Sequence, residues 1–169
     1  GRFLSWSANG DLRLWSADGA LLALLTGHTD WVVSALALSD GRFLSWSNDK
    51  TLRLWGGDGA ALAVLQGHTG LVVSALELTD GRFLSWSDDK TLRLWDGDGT
   101  FITAFTGHTD SVQGVLELSD GHFLSWSKDR TLRLWNTNGT SLAVLGHTNA
   151  VNGALVLADG RFLSWSRDN

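Results

Sequence analysis

Residues His28–Gln66 read HTDWVVSALALSDGRFLSWSNDKTLRLWGGDGAALAVLQ, and this stretch decides the fold. WVVSALALS, from Trp31, is rich in branched apolar side chains and stops at Asp40-Gly41. GRFLSWS follows, with Phe43, Ser45 and Ser47 alternating against Leu44 and Trp46. That two-residue period is a strand whose two faces meet different surroundings. SNDKT makes a turn, TLRLW alternates again, Asp58-Gly59 marks a hairpin, and ALAVL ends the unit. Asp-Gly pairs supply the positive φ angles that tight hairpins need. No run of about ten residues carries helical spacing. The unit predicts four short antiparallel strands and an all-β fold.

The unit recurs along the chain. GRFLSWS begins at Gly1, Gly41, Gly81 and Gly160, and GHFLSWS begins at Gly121. LRLW ends at Trp15, Trp55, Trp95 and Trp135, and GHT places His28, His68, His108 and His147. No linker or composition shift breaks the array, so residues 1–169 read as one domain. It divides into a partial unit over 1–25, full units over about 29–65, 69–105 and 109–145, and a partial unit over about 150–169.

A period of about 40 residues, four strands per unit, Gly-His early and Trp late in the third strand resemble the WD-repeat β-propeller family. Literal Trp-Asp occurs at Trp95-Asp96, while the other units read Trp15-Ser16, Trp55-Gly56 and Trp135-Asn136. The run LSWS, with Trp46, Trp86 and Trp126 in the second strand, is similar to highly regular bacterial and cyanobacterial members. The resemblance implies a β-propeller of four-stranded antiparallel blades, with four repeats per chain.

Composition narrows the function. Of 169 residues, 43% are hydrophobic and 18% charged, which is globular rather than disordered composition. Thirteen Lys and Arg against 18 Asp and Glu give a net charge of −5, which excludes the basic footprint of a nucleic-acid binder. No apolar run reaches membrane-spanning length. With no cysteine there is no disulfide, thiolate metal site or cysteine nucleophile. Proline, methionine and tyrosine are also absent, against 10 Trp and 20 Gly, the mark of one segment copied several times. The missing start methionine reads as a processed, excised or engineered piece. No leader sequence is visible, and the expected compartment is the cytoplasm.

Each full unit carries His, Ser, Asp and Trp in fixed order. The sets are His28, Ser45, Asp49, Trp55; His68, Ser85, Asp89, Trp95; and His108, Ser125, Asp129, Trp135. His147 opens a further set with Ser164 and Asp168. The resemblance implies a hydrogen-bonded chain inside each blade, Asp to His to Ser to Trp. Polar groups buried between blades must satisfy one another. The same residue types suggest a hydrolase, but an enzyme needs one exposed nucleophile, and no GxSxG elbow is present. Histidines one period apart belong to successive blades rather than to one tetrahedral metal site. No GxGxxG or GxxxxGK segment offers a phosphate cradle. No catalytic residue, metal or cofactor is therefore expected. His122, standing where other units have Arg, reads as a neutral replacement. Arg13, Arg53, Arg93 and Arg133 are expected to lay their stems on the blade and pair locally with acids.

The strands do not tally. The first partial unit has strands two to four and the last has strands one and two, so one second strand is redundant. A single-chain four-bladed ring would bend the blades far from their usual wedge, as the resemblance implies it. A fragment of a longer array is another reading. The preferred one is a homodimer in which each end completes the other's, giving an eight-bladed ring by an isologous contact. In that ring Arg2–Ser7 is expected to fill the shared blade and Gly160–Ser166 to be displaced.

Units differ mainly in loops expected to share one rim: Asp30, Trp31, Asn48, Gly70, Leu71, Asp88, Asp110, Ser111, Lys128, Asn149, Ala150 and Arg167. Loops on a rigid scaffold are where binding usually resides. The expected function is a non-enzymatic scaffold for an unidentified protein partner, with no nucleic acid or membrane. The alternative is a multivalent lectin-like carbohydrate binder, for which Trp46, Trp86 and Trp126 would have to be exposed.

Overall fold

The computed structural model describes residues 1–167, and among them every regular element is a β-strand. The first sheet is β1 (Arg2–Trp6), β2 (Leu12–Ser16) and β3 (Leu21–Leu25). The second is β4 (Val32–Ala37), β5 (Phe43–Ser47), β6 (Leu52–Trp55) and β7 (Ala61–Leu65). The third is β8 (Val72–Glu77), β9 (Phe83–Ser87), β10 (Leu92–Trp95) and β11 (Phe101–Phe105). The fourth is β12 (Val112–Glu117), β13 (Phe123–Ser127), β14 (Thr131–Trp135) and β15 (Ser141–Gly146). The fifth is β16 (Val151–Val156) and β17 (Phe162–Ser166). Strands follow one another antiparallel in chain order within each sheet.

Local chemistry sets the turns. The Asp-Gly hairpins put Gly41, Gly59, Gly81 and Gly99 at φ near 90°, a region that costs glycine nothing. The SNDK-type turns instead force Lys50, Lys90 and Arg130 to φ near 70°. The first sheet places Gly10 at its equivalent turn, where a Cβ would lie 2.5 Å from the His28 carbonyl oxygen. Each first strand carries a bulge near its start, as between Val32 and Ser34, which re-aims the loop that precedes it.

Each sheet packs face to face on the next. Phe43 and Trp55 of the second sheet press on Leu12, Leu14 and Leu25 of the first. One period on, Phe83 and Trp95 press on Leu44, Leu52 and Leu54, and Phe123 and Trp135 press on Leu84, Leu92 and Leu94. The alternation seen in GRFLSWS is thereby explained. Phe and Ser face the preceding sheet, and Leu and Trp face the following one. Trp55, Trp95 and Trp135 are at most 1% exposed, each contributing about 2–3 kcal/mol by burial.

The two ends differ from the interior. Phe3 and Trp6 are 51% and 41% exposed, against 7% and 5% for Phe43 and Trp46. Leu163 and Trp165 are 55% and 51% exposed. In the single chain β17 is paired with β16.

Candidate functional site: a repeated hydrogen-bond chain and a loop rim

The polar set of each full unit converges between sheets. His28 reaches Asp49 Oδ2 through Nδ1 at 2.8 Å and Ser45 Oγ through Nε2 at 2.9 Å, and the Trp55 indole N–H donates to Ser45 Oγ at 2.8 Å. The same distances recur within 0.1 Å for His68, Asp89, Ser85 and Trp95, and for His108, Asp129, Ser125 and Trp135. Only one assignment satisfies every donor. Trp gives its proton to Ser, Ser gives its own to a neutral imidazole Nε2, and Nδ1–H gives to the carboxylate.

Electrostatics agree with that assignment. Burial holds His28 and His108 below the usual imidazole range, despite their Asp partners. Burial pushes Asp49 and Asp129 upward, but hydrogen bonds from Thr51 or Thr131, from His and from backbone N–H groups prevail. Both carboxyls end below the usual range, Asp129 at about 2. Asp89 is lowered in the same way, with His68 and Thr91 as donors.

This geometry is that of a clamp rather than a nucleophile. Ser45, Ser85 and Ser125 are 0% exposed, and each Oγ already accepts an indole N–H. No substrate carbonyl reaches them.

The two ends each hold part of the set. Trp15 donates to Ser5 Oγ at 2.9 Å, and among the described residues no histidine reaches that serine. His147 Nε2 meets Ser164 Oγ at 2.8 Å, and among the described residues no tryptophan donates to it. Asp168 lies outside the described residues. In the first sheet the turn residues have exchanged types. Asn9 stands where the other units have Asp, and Asp11 where they have Thr, the Asn9 amide donating to Asp11 at 3.0 Å.

Several sequence expectations need correcting. The arginines of LRLW do not pair with acids. Among the described residues no carboxylate lies within ion-pair distance of them. Arg93 lies over the Phe101 ring at 5.2 Å and Arg133 over Trp135 at 5.7 Å. The glycine of Gly-His makes room for this, since a Cβ on Gly27, Gly67 or Gly107 would fall 2.3–2.7 Å from the guanidinium of Arg53, Arg93 or Arg133. His122 fits the neutral replacement read from the sequence. It pairs with Asp120 at 2.8 Å, as Arg42 and Arg82 do with Asp40 and Asp80.

The loops expected to form a rim adjoin one another within each unit but differ in exposure. The Asn48 N–H donates to the Trp31 carbonyl at 2.9 Å, and Asp88 and Lys128 repeat this with Leu71 and Ser111. The two loops of each unit therefore sit side by side. Trp31 and Leu71 are 55% and 42% exposed, and Trp31 lines a shallow hollow with Val33 and Asn48. Asp30, Asp88, Asp110, Lys128, Asn149 and Arg167 are exposed, and Asn48, Gly70 and Ala150 partly so. Ser111 is not a surface residue. It is 5% exposed, donates to Asp88 of the preceding sheet, and accepts from Gln113 at 2.7 Å. A Cβ on Gly70 would lie 2.6 Å from the Asp89 nitrogen, so that loop leaves no room for a side chain there. Of the three second-strand tryptophans, Trp46 and Trp86 are buried at 5% and 7%, and Trp126 is partly buried.

One contact went unread in the sequence. Ser39 donates through both N–H and Oγ to Glu77 of the next sheet at 2.8 Å, and Thr79 does so to Glu117 at 2.9 Å. The signal was a Ser or Thr and a Glu 38 residues apart, recurring once.

Four-stranded blades, packed face to face and each locked by Trp–Ser–His–Asp, define an array of β-propeller blades. The chain belongs to the WD domain, G-beta repeat family, which it matches at residues 19–56, 59–96 and 99–136. It is similar to the crystal structure of the WD40 β-propeller domain of Doa1, with 27% identity and a TM-score of 0.75 over 97% of this chain. The chain spans 57% of that structure's length. A comparison with curated proteins gave no match.

Proposed function

We propose that the chain is a non-enzymatic WD-repeat scaffold, and that two copies join into an eight-bladed ring whose loop rim presents a docking face to another protein. The carrying observation is where the units vary. The repeated polar residues are consumed in hydrogen bonds inside the blades, while Trp31, Leu71, Asp88 and Lys128 differ from unit to unit and stand exposed on one rim. Scaffolds with conserved interiors and variable loops bind through the loops. Near-identical units support placement among the highly regular bacterial members of the family.

Self-association has its own support. Phe3, Trp6, Leu163 and Trp165 are exposed at the two ends, although the matching residues inside the array are buried. The front end carries the Trp15–Ser5 part of the polar chain, and the back end carries a histidine, His147, of the kind the front lacks. Light scattering on the purified chain tests this. A mass of twice 18.3 kDa is expected, and 18.3 kDa at every concentration refutes the pairing.

A further inference from the structure

We propose that β17 is a placeholder strand: it occupies on β16 the position that β1 of a second copy takes when two chains join. This deepens the two-chain reading above and rests on it. Arg161–Ser166 and Arg2–Ser7 have the same sequence, RFLSWS. The pairing of β17 with β16, Gly153 opposite Trp165, Ala154 opposite Ser164 and Leu155 opposite Leu163, is therefore a template for β1 in the same seat.

Three features fit the incoming strand. The first is a hollow of about 260 Å³ lined by Ser5, Ser7, Asn9, Arg13 and Trp15. Those residues correspond to Ser45, Ser47, Asp49, Arg53 and Trp55, around which His28 sits in the second sheet. The hollow is the seat of a histidine that the first sheet does not itself carry, and His147 immediately precedes β16. Joining β1 to β16 would bring Trp15, Ser5 and His147 into one chain, whereas the serine that β17 offers His147 has no tryptophan donor among the described residues.

The second is the bed for an indole. A Cβ on Gly153 would fall 2.2 Å from the Trp165 ring, so this glycine exists to be covered by tryptophan. Trp6 has the matching position on β1 and is 41% exposed.

The third is the clasp between neighbouring blades. Its hydroxyl partner is Ser39 or Thr79, and its carboxylate partner Glu77 or Glu117. At the junction the corresponding residues are Ala158 and Ala37. Hydroxyl and carboxylate are both missing there, so neither is left without its partner.

The exchange is driven by more than strand pairing. What β16 loses with β17 it regains with β1, since the sequences are the same. The surplus comes from covering Phe3 and Trp15 and from linking the Trp15 indole through Ser5 to His147. β17 therefore sets a threshold on assembly while protecting the β16 edge in the free chain.

Sedimentation velocity across a dilution series tests this on three chains. L163P weakens β17 as a strand, and W165S removes its indole while leaving the backbone intact. Both are expected to tighten dimerisation about tenfold, and W6S to weaken it by a similar factor. Hydrogen exchange should show the β17 amides losing protection on dimerisation as those of β1 gain it. Dimers of unchanged affinity for L163P and W165S, with β17 protected, overturn the placeholder while the paired ring stands. Weaker dimers for both show that β17 itself fills the blade and also overturn it. Monomers for all chains at all concentrations overturn the pairing itself.

Discussion

Replacing His68 by alanine measures what the buried polar chain contributes. The imidazole is fully buried and makes two bonds, to Asp89 at 2.8 Å and to Ser85 at 2.9 Å. Without it, Asp89 keeps Thr69 N–H, Thr91 N–H and the Thr91 hydroxyl. Ser85 fares worse. It still accepts from Trp95, but its own proton has lost its acceptor in a site that is 0% exposed. An orphaned buried hydroxyl costs about 1–3 kcal/mol, and the vacated ring adds a cavity cost. The expected loss is about 2–3 kcal/mol, or about 5–10 °C in Tm for a chain of this size. Equilibrium urea unfolding, followed by tryptophan fluorescence and far-UV circular dichroism, reads it as a lower midpoint at unchanged slope. Ser85→Ala in the same background should add less than it costs alone, by about 1 kcal/mol, because the hydroxyl had already lost its acceptor. A His68→Ala chain within about 0.5 kcal/mol of the parent, or a strictly additive double substitution, would refute the network.

Acid should unfold the chain in two stages. His28 and His108 have folded pKa values below the ordinary 6.5, so stability is complete above that value and falls as pH drops through it, when the unfolded chain binds the extra protons. Asp49, Asp89 and Asp129 lie below 3.8, so a further loss sets in under that pH, and a thermal-melt series from pH 8 to 3 should show Tm level above 6.5, falling below it and falling again under 3.8, with no acid-side recovery. Gly67→Ala is expected to cost about 1–2 kcal/mol by pushing the Arg93 guanidinium off Phe101 at a backbone position unsuited to side chains, checked by the urea midpoint. Trp31→Ser, at an exposed rim position, should leave that midpoint within about 0.5 kcal/mol; a larger loss would show that Trp31 supports the loop rather than presenting itself.

Much of the architecture was legible because it is written in short periods. The alternation in RFLSW fixes which side chains share a face, and Asp-Gly fixes where the chain reverses. The repeat marks His28, Ser45, Asp49 and Trp55 as one recurring set, and the resemblance to the WD-repeat family implies that the four meet inside a blade. What escaped depends on how one sheet is rotated on the next, which no local pattern encodes. Ser111 is loop-borne and polar, yet Asp88 of the neighbouring sheet closes over it. Arg93 and Arg133 have acids nearby in sequence but lie on aromatic rings, where the glycine before each histidine leaves space. The Ser39–Glu77 clasp joins residues whose separation has meaning only once the blades are stacked.

The sameness of the sheet-to-sheet contact bears on how such an array changes length. Phe83 and Trp95 meet Leu52 and Leu54 just as Phe123 and Trp135 meet Leu92 and Leu94. A gene duplication or deletion of one forty-residue unit therefore creates no novel boundary. The inserted segment finds on either side the surfaces that its parent copy already fitted, so array length can drift by whole units without passing through an ill-packed ancestor.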